Sequence, residues 1–330
     1  MHATAVNRAD LLQRRGFYPP PPGESEILGL EAAGVVASVG ARRHARVKVG
    51  DRVCCLLAGG GYAEQVVVNE AMALPIPAGL DFVQAAAIPE AFYTAFVNIV
   101  QEASLAERRA RADPRRRERV GTAAIQLVKA FGAVAYVTAG SDDKLARCRE
   151  LGADAGINYK TESFPERIAA LTDGEGVDVI LDCIGGSYLE GNVASLRSRG
   201  RLVIIGLMGG TKADVNLGLL VSRRLRVIGS VLRTRSLAEK VAITDAFRAR
   251  GAAALRERHM QADRRRGLPD RRRRVPRTTT SRPTRISARS SCRSAADIYV
   301  QVISGMRDNA TPDAAISSSA CVPRDASCPG

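Results

Sequence analysis

The sequence predicts an α/β protein, a doubly wound parallel sheet joined to a mostly β, barrel-like domain. Two stretches carry this. Over residues 120–232, helical apolar spacing alternates with short apolar strands and Gly-bearing connections, as when helices cover both faces of a parallel sheet. Over residues 1–102, short β-like runs are divided by Gly and Pro. A chain of 330 residues with 45% hydrophobic content is long enough for two domains with a sizeable core.

In the first stretch the β-like runs are Gly34–Val39, Val47–Leu57 and Tyr62–Val68, with turn signals at Gly40, Gly59–Gly61 and Pro75–Gly79. The Pro19–Pro22 run reads as a stiff surface loop. In the second stretch, Ala124, Leu127, Val128 and Phe131 have helical spacing, and Gly132 is placed to cap the helix. Strands are expected at Val134–Thr138, Gly156–Tyr159, Val177–Leu181, Arg201–Ile205 and Arg226–Val231. Helices are expected around Leu145–Leu151, Ile168–Leu171 and 188–196. The domains are expected at 1–95, 96–232 and 233–330, the last largely disordered after 250.

The net charge of +15 resides in two Arg-rich blocks. Residues 108–119 hold seven Arg against Asp113 and Glu118, and residues 251–293 hold fourteen against Glu257, Asp263 and Asp270. Neither block shows a helix or strand period, and both read as a disordered insert and tail. A nucleic-acid partner is disfavoured, because no aromatic residue is interleaved with these arginines to stack on bases. The tail's one short apolar run is Ile298–Ile303. The seven cysteines form no C-x-x-C pair, and Cys54 and Cys148 are expected to pack as small apolar residues. No early apolar run suggests a signal peptide, and no stretch approaches the roughly 20 apolar residues of a membrane span. The expectation is a cytoplasmic protein without a membrane partner.

Several motifs together resemble the zinc-free quinone oxidoreductases of the medium-chain dehydrogenase/reductase superfamily, the zeta-crystallin-like group. They are Ala5-Val6-Asn7-Arg8-Ala9-Asp10 with Gly16–Tyr18, Leu28–Gly34, Val49–Val53, Ala85–Ala91 with Thr94-Ala95, Leu181–Gly186 and Gly206–Gly210. The likeness covers about 5–105 and 120–248. It implies a GroES-like barrel, a Rossmann domain and reduction of a quinone by NADPH. It also implies that Asn7 and Tyr18 line the quinone side, where an amide and a phenol can bond an oxygen gaining negative charge. Glu90 and Thr94 fall near the nicotinamide. Zinc-dependent relatives carry a Cys near Asn7 and a His at Leu30; these residues offer neither thiolate nor imidazole, so no metal site is expected. No protein nucleophile is needed, and no catalytic side chain is assigned.

The cofactor choice has its own physical basis. Folds that prefer NADH end the second strand in Asp or Glu. Here it ends Thr138-Ala139-Gly140-Ser141, with Lys144 one turn on and Asp142 and Asp143 between them. Gly140 leaves room for a 2′-phosphate, Ser141 can donate to it, and Lys144 brings charge, which favours NADPH. The resemblance adds Tyr159 at the same end. Cys183 and Ile184, then Gly206, Leu207 and Met208, then Ser230 and Leu232 lie at or after strand ends, where doubly wound sheets bind ligands. Gly121 fits the last glycine of the pyrophosphate-binding turn.

The chain also departs from the family. Arg-rich sequence replaces the strand and earlier glycines expected before Val120, and seven Arg cannot form a buried central strand. The likeness fades after about residue 250, and the sequence begins inside the family's barrel. The expectation is an N-terminally truncated chain whose Arg-rich segments are frame-shifted. Competing readings are an enone or enoyl-thioester reductase of the same fold, an inactive remnant, and a basic nucleic-acid-binding protein. A homodimer through the Rossmann domain, with Leu202–Gly206 and Arg226–Val231 at its edge, follows by analogy.

Overall fold

The computed structural model describes residues 1–40, 46–105, 119–252 and 301–305. Both Arg-rich blocks therefore lie almost wholly outside the described residues. Helix α1 (Arg8–Arg14) precedes an antiparallel sheet of β1 (Glu31–Val35), β2 (Arg52–Leu56) and β3 (Ala73–Pro75), in that order. Cys54 and Leu56 project from β2 into the core, and Cys54 is a buried free thiol, as is Cys148.

Tyr62–Val68, expected as β-like, forms no strand. The three backbone N–H groups of Gly60, Gly61 and Tyr62 are already used on the carbonyls of Ile27, Gly29 and Leu28. That turn depends on glycine: a Cβ on Gly29, at φ +105°, would stand 2.5 Å from Gly61 Cα.

The barrel passes to the larger sheet through α2 (Phe82–Ala85) and α3 (Pro89–Phe96), extended as a π-turn over Val97–Glu102. Pro89 begins α3, where its missing N–H costs nothing. The run Phe82–Glu102 corrects one sequence expectation. Its 21 residues are, by length and composition, enough to cross a membrane. Most of the run is buried inside the fold, where it is the central core helix. Tyr93 and Phe96 pack on Phe247, with ring centroids 4.8 and 5.5 Å away.

The α/β alternation is as expected. It runs through α4 (Arg119–Ala130), β4 (Val134–Ala139), α5 (Asp142–Glu150), β5 (Ala155–Asn158), α6 (Phe164–Leu171), β6 (Val177–Asp182), α7 (Leu189–Ser195), β7 (Leu196–Ile204), α8 (Leu217–Ser222) and β8 (Arg226–Gly229). Helix α9 (Leu237–Ala246) follows, opened by a capping box between Ser236 and Glu239. The β4–β5, β6–β7 and β7–β8 pairs are parallel. β7 lies inside the sheet, so of the two segments expected at a dimer edge only Arg226–Val231 is there; Val227 is 43% exposed.

The sheet order is β5-β4-β9-β6-β7-β8, and β9 is Gln301–Gly305. This segment, expected within an unstructured tail, instead fills the central lane. It runs antiparallel to both neighbours: Val302 pairs with Val137 on one side and Leu181 on the other. The β-branched Val302 and Ile303 suit a strand. Proline at 302 would remove a backbone donor in a lane paired on both sides. Val302→Pro is expected to cost about 1–3 kcal/mol and to lower the thermal midpoint; an unchanged melt would show that β9 does not complete the sheet.

Candidate functional site

The barrel-side half of the site is built around α3. Between Ile88 and Val100 every residue is buried except Glu90 and Thr94. They lie one turn apart on the same helix face, so they mark where the core opens. Asn7 occupies the N-cap position of α1, and its Nδ2 donates to Glu31 Oε1 at 2.8 Å. Glu31 Oε2 accepts the backbone N–H of Glu90 at 2.9 Å. Asp10, buried, accepts from the N–H groups of Asn7 and Gly29 at 2.7 and 3.0 Å. The two carboxylates thus tie the Asn7 loop to α3.

Burial, with the neighbouring Glu31 and Asp10 carboxylates, pushes the Glu90 carboxyl up to about 8, against the opposing pull of Arg233 and Lys240. It therefore carries its proton at neutral pH. Tyr18 is pushed up to about 12 by burial and by Glu90, and stays a phenol. Asn7, Tyr18 and Glu90 are thus brought into one electrostatic neighbourhood.

Arg233, which the sequence reading passed over, completes this half. Its Nε donates to Ala58 O at 2.8 Å and its Nη1 to Tyr18 O at 3.1 Å. The guanidinium lies over the Tyr18 ring, 5.1 Å from the centroid. Only its position just beyond Leu232, at a strand end, could have drawn attention to it.

The second half is the carboxyl edge of the sheet. Gly140 directly follows β4, and a Cβ there would stand 2.6 Å from the Tyr159 hydroxyl and 3.3 Å from Lys160 Cε. Ser141 is the N-cap of α5, but its hydroxyl makes no capping bond. The Tyr159 hydroxyl and the Lys160 side chain therefore pack directly against Gly140, an approach that a Cβ would block. Lys144 is one turn into α5, its N–H bonded to Ser141 O at 3.1 Å. Asp142 accepts from Asn158 Nδ2 at 3.1 Å, which engages the nearer of the two acids. Lys160 was also missed; no motif flagged it, and only the Gly140 contact places it here.

Further along the edge, Asp182 organises the loop carrying Cys183 and Ile184. It is fully buried and accepts from the N–H groups of Ile184 and Gly185 at 2.7 and 3.0 Å, and from Asn192 Nδ2 at 3.1 Å. That loop is stitched to the one holding Gly206, Leu207 and Met208 through Gly209 N–H to Ile184 O, at 2.6 Å. A Cβ on Gly206 would meet Cys183 O at 2.7 Å, so glycine is required for the approach. Burial first, then Asp182, pushes the Cys183 thiol up to about 12, which leaves it unsuited as a nucleophile. Ser230 Oγ is bonded by Arg235 Nη2 at 3.3 Å, and Leu232 is buried beside the core. Gly121 sits in the first turn of α4. The strand and turn expected before it fall on 106–118, outside the described residues.

Comparison with known proteins agrees with this layout. Residues 120–246 match the zinc-binding dehydrogenase family and residues 1–78 the alcohol dehydrogenase GroES-like domain. The quinone oxidoreductase of Salmonella typhimurium is 34% identical over 234 residues, 71% of this chain and 69% of that protein. Quinone oxidoreductase-like protein 2 homolog of Nematostella vectensis is 28% identical over 230 residues, or 69% of this chain. This chain spans 63% of that relative's length. Among solved structures, Escherichia coli quinone oxidoreductase complexed with NADPH superimposes with a TM-score of 0.63 at 28% identity, covering 79% of this chain and 80% of that one. Fold, motifs and relatives converge: the chain belongs to the quinone oxidoreductase-like family of the medium-chain dehydrogenase/reductase superfamily.

Proposed function

We propose that this chain is a metal-independent oxidoreductase that passes reducing equivalents from NADPH to a quinone, an NADPH:quinone reductase. The observation that carries the cofactor is the corner at Gly140. Tyr159 and Lys160 close directly on Gly140, Ser141 follows it with a hydroxyl that makes no capping bond, and Lys144 is one turn into α5. Such a corner accepts a 2′-phosphate and leaves ribose hydroxyls without their usual carboxylate. The glycine-lined loops at Cys183–Gly186 and Gly206–Gly210 would approach the cofactor's backbone and nicotinamide end. NADPH, when bound, supplies the hydride.

The protein's own part is orientation, exclusion of water and proton supply. Tyr18 and Asn7 face the acceptor from the barrel. Glu90 and Thr94 face it from α3, and the protonated Glu90 carboxyl is placed to return a proton to the reduced oxygen. The choice of donors supports metal independence: Leu30 is buried and apolar, and the Asn7 amide is bonded to Glu31. The β8 edge is the surface offered for a homodimer, and a cytoplasmic location fits these roles.

Two measurements check this reading. Lys144→Glu is expected to cut NADPH affinity by about 10- to 150-fold relative to NADH, the range of about 1.5–3 kcal/mol for a charged hydrogen bond; an unchanged ratio in a binding titration defeats the assignment. The second concerns Glu90. Its folded value of about 8 lies above the usual 4.5, so the native state holds a proton that the unfolded chain releases. Its contribution to stability is complete at acid pH and is lost as pH rises through about 8. Glu90→Gln should flatten that loss in pH-dependent unfolding, and should remove any fall in quinone turnover near the same pH. Turnover assays with a quinone beside an enone define the acceptor class, and exclusive use of the enone overturns the quinone assignment.

A further inference from the structure

Arg233 carries an inference that rests on the proposed reductase reading and goes beyond it. The side chain is 5% exposed, in a part of the protein where a charge needs a reason to be. Two of its three nitrogens donate to carbonyls, of Ala58 and Tyr18. The third, Nη2, is shielded from solvent and has no hydrogen-bond partner. Among the described residues Arg233 makes no salt bridge. Of the carboxyls around it, Glu90 feels its charge yet is held protonated by desolvation, Asp10 is engaged on the N–H groups of Asn7 and Gly29, and Glu31 on Asn7 and Glu90 N–H. Lys240 is also buried close by, at 9% exposure, and its charge adds to that of Arg233.

A buried guanidinium without a counter-charge, holding one donor in reserve, is a half-made ion pair. It sits where the substrate-side loop of the barrel, α3 and the carboxyl edge of the sheet meet. We propose that Arg233 Nη2 is a catalytic anion-stabilising donor, which binds the acceptor's carbonyl oxygen and holds the oxyanion formed on reduction.

The step balances. NADPH, when bound, would supply the hydride, whose two electrons reduce the quinone to a hydroquinone mono-anion and leave NADP+ as the oxidised product. Arg233 meets the negative oxygen. The Glu90 O–H bond then breaks to give that oxygen its proton, and solvent re-protonates Glu90. Arg233 does not change protonation state, since a guanidinium keeps its charge in proteins. Its contribution is larger for the charged product-like state than for the neutral quinone, as acceleration requires.

The test uses the full chain and 4-nitrophenol, an aromatic oxyanion mimic whose charged form absorbs differently from the neutral one. In the wild type the bound probe is expected to ionise at a pH about one unit lower than free in solution, a roughly tenfold preference for the anion. Arg233→Met should abolish that preference, and Arg233→Lys should retain part of it. A purely structural role would lower the thermal midpoint in both variants and leave the probe's ionisation where the wild type has it, which overturns the proposal. Where Arg233→Met does not fold, Arg233→Lys decides: a weakened or lost anion preference with an unshifted melt supports the proposal, and wild-type probe ionisation in that variant overturns it. A shifted melt with unchanged ionisation goes against it. If the wild type binds NADPH but shows no anion preference, this inference alone fails. If NADPH does not bind, the reductase reading fails with it.

Discussion

A parallel sheet covered by helices on both faces cannot leave its central lane empty. β4 and β6 each present a row of backbone donors and acceptors toward that lane, inside the core, and each group left unpaired costs about 1–3 kcal/mol. Connectivity would fill the lane with the strand just before α4. The sequence there is Arg-rich, and seven Arg cannot be buried without partners. The lane is filled from elsewhere in the chain, by β9, paired with β4 on one side and β6 on the other. Its direction is reversed relative to both neighbours, and it still satisfies their backbone groups.

The second constraint is the helical run from Phe82 to Glu102. It shares one core with the barrel residues Cys54, Leu56, Met72 and Leu74 and with the sheet residues Val137, Val179 and Leu181. A helix buried on nearly every face has few places for a polar residue, so Glu90 and Thr94 are informative. Glu90 tolerates its surroundings by staying neutral, and its backbone N–H anchors Glu31. The same enclosure that raises its affinity for a proton would, in the proposed reaction, keep water from the acceptor. Stability and chemistry draw here on one desolvated environment.

Periodicity made the α/β half legible, because alternation, Gly-bearing turns and apolar strands are local signals. β4, β5, β6 and β8 fall within a residue or two of expectation, while β7 begins earlier, at Leu196. Gly140, Ser141 and Tyr159 were singled out through the resemblance and the missing acid, and the structure sets the Tyr159 hydroxyl against Gly140. The barrel was less so: Val66–Val68 has strand composition, yet the Gly59–Gly61 turn commits the preceding donors elsewhere. Arg233, Lys160 and Asp182 were not legible. Each acts through neighbours distant in sequence: Arg233 through Tyr18 and Ala58, more than 170 positions away. A pattern read along the chain registers a charge at Arg233 but not its burial. Ile298–Ile303 was visible as an apolar run, but nothing local could say which lane it enters.

The reversal of β9 has a consequence for the cofactor that the two well-formed ends do not share. In a regular doubly wound sheet the central strand reaches the ligand edge with its carboxyl end and turns directly into the next helix, so that strand, glycine turn and helix N-terminus cradle the pyrophosphate together. β9 reaches that edge with its first residue, Gln301, opposite Thr138, and leaves at the other side, where Gly305 faces Val134. Helix α4 still begins near the edge with Gly121 in its first turn, but the strand beside it comes from 180 residues later in the chain. The N-terminal N–H groups of α4 can still attract phosphate. In the proposed reading, cofactor binding draws on the Gly140 corner at one end of the edge and on the Cys183 and Gly206 loops at the other.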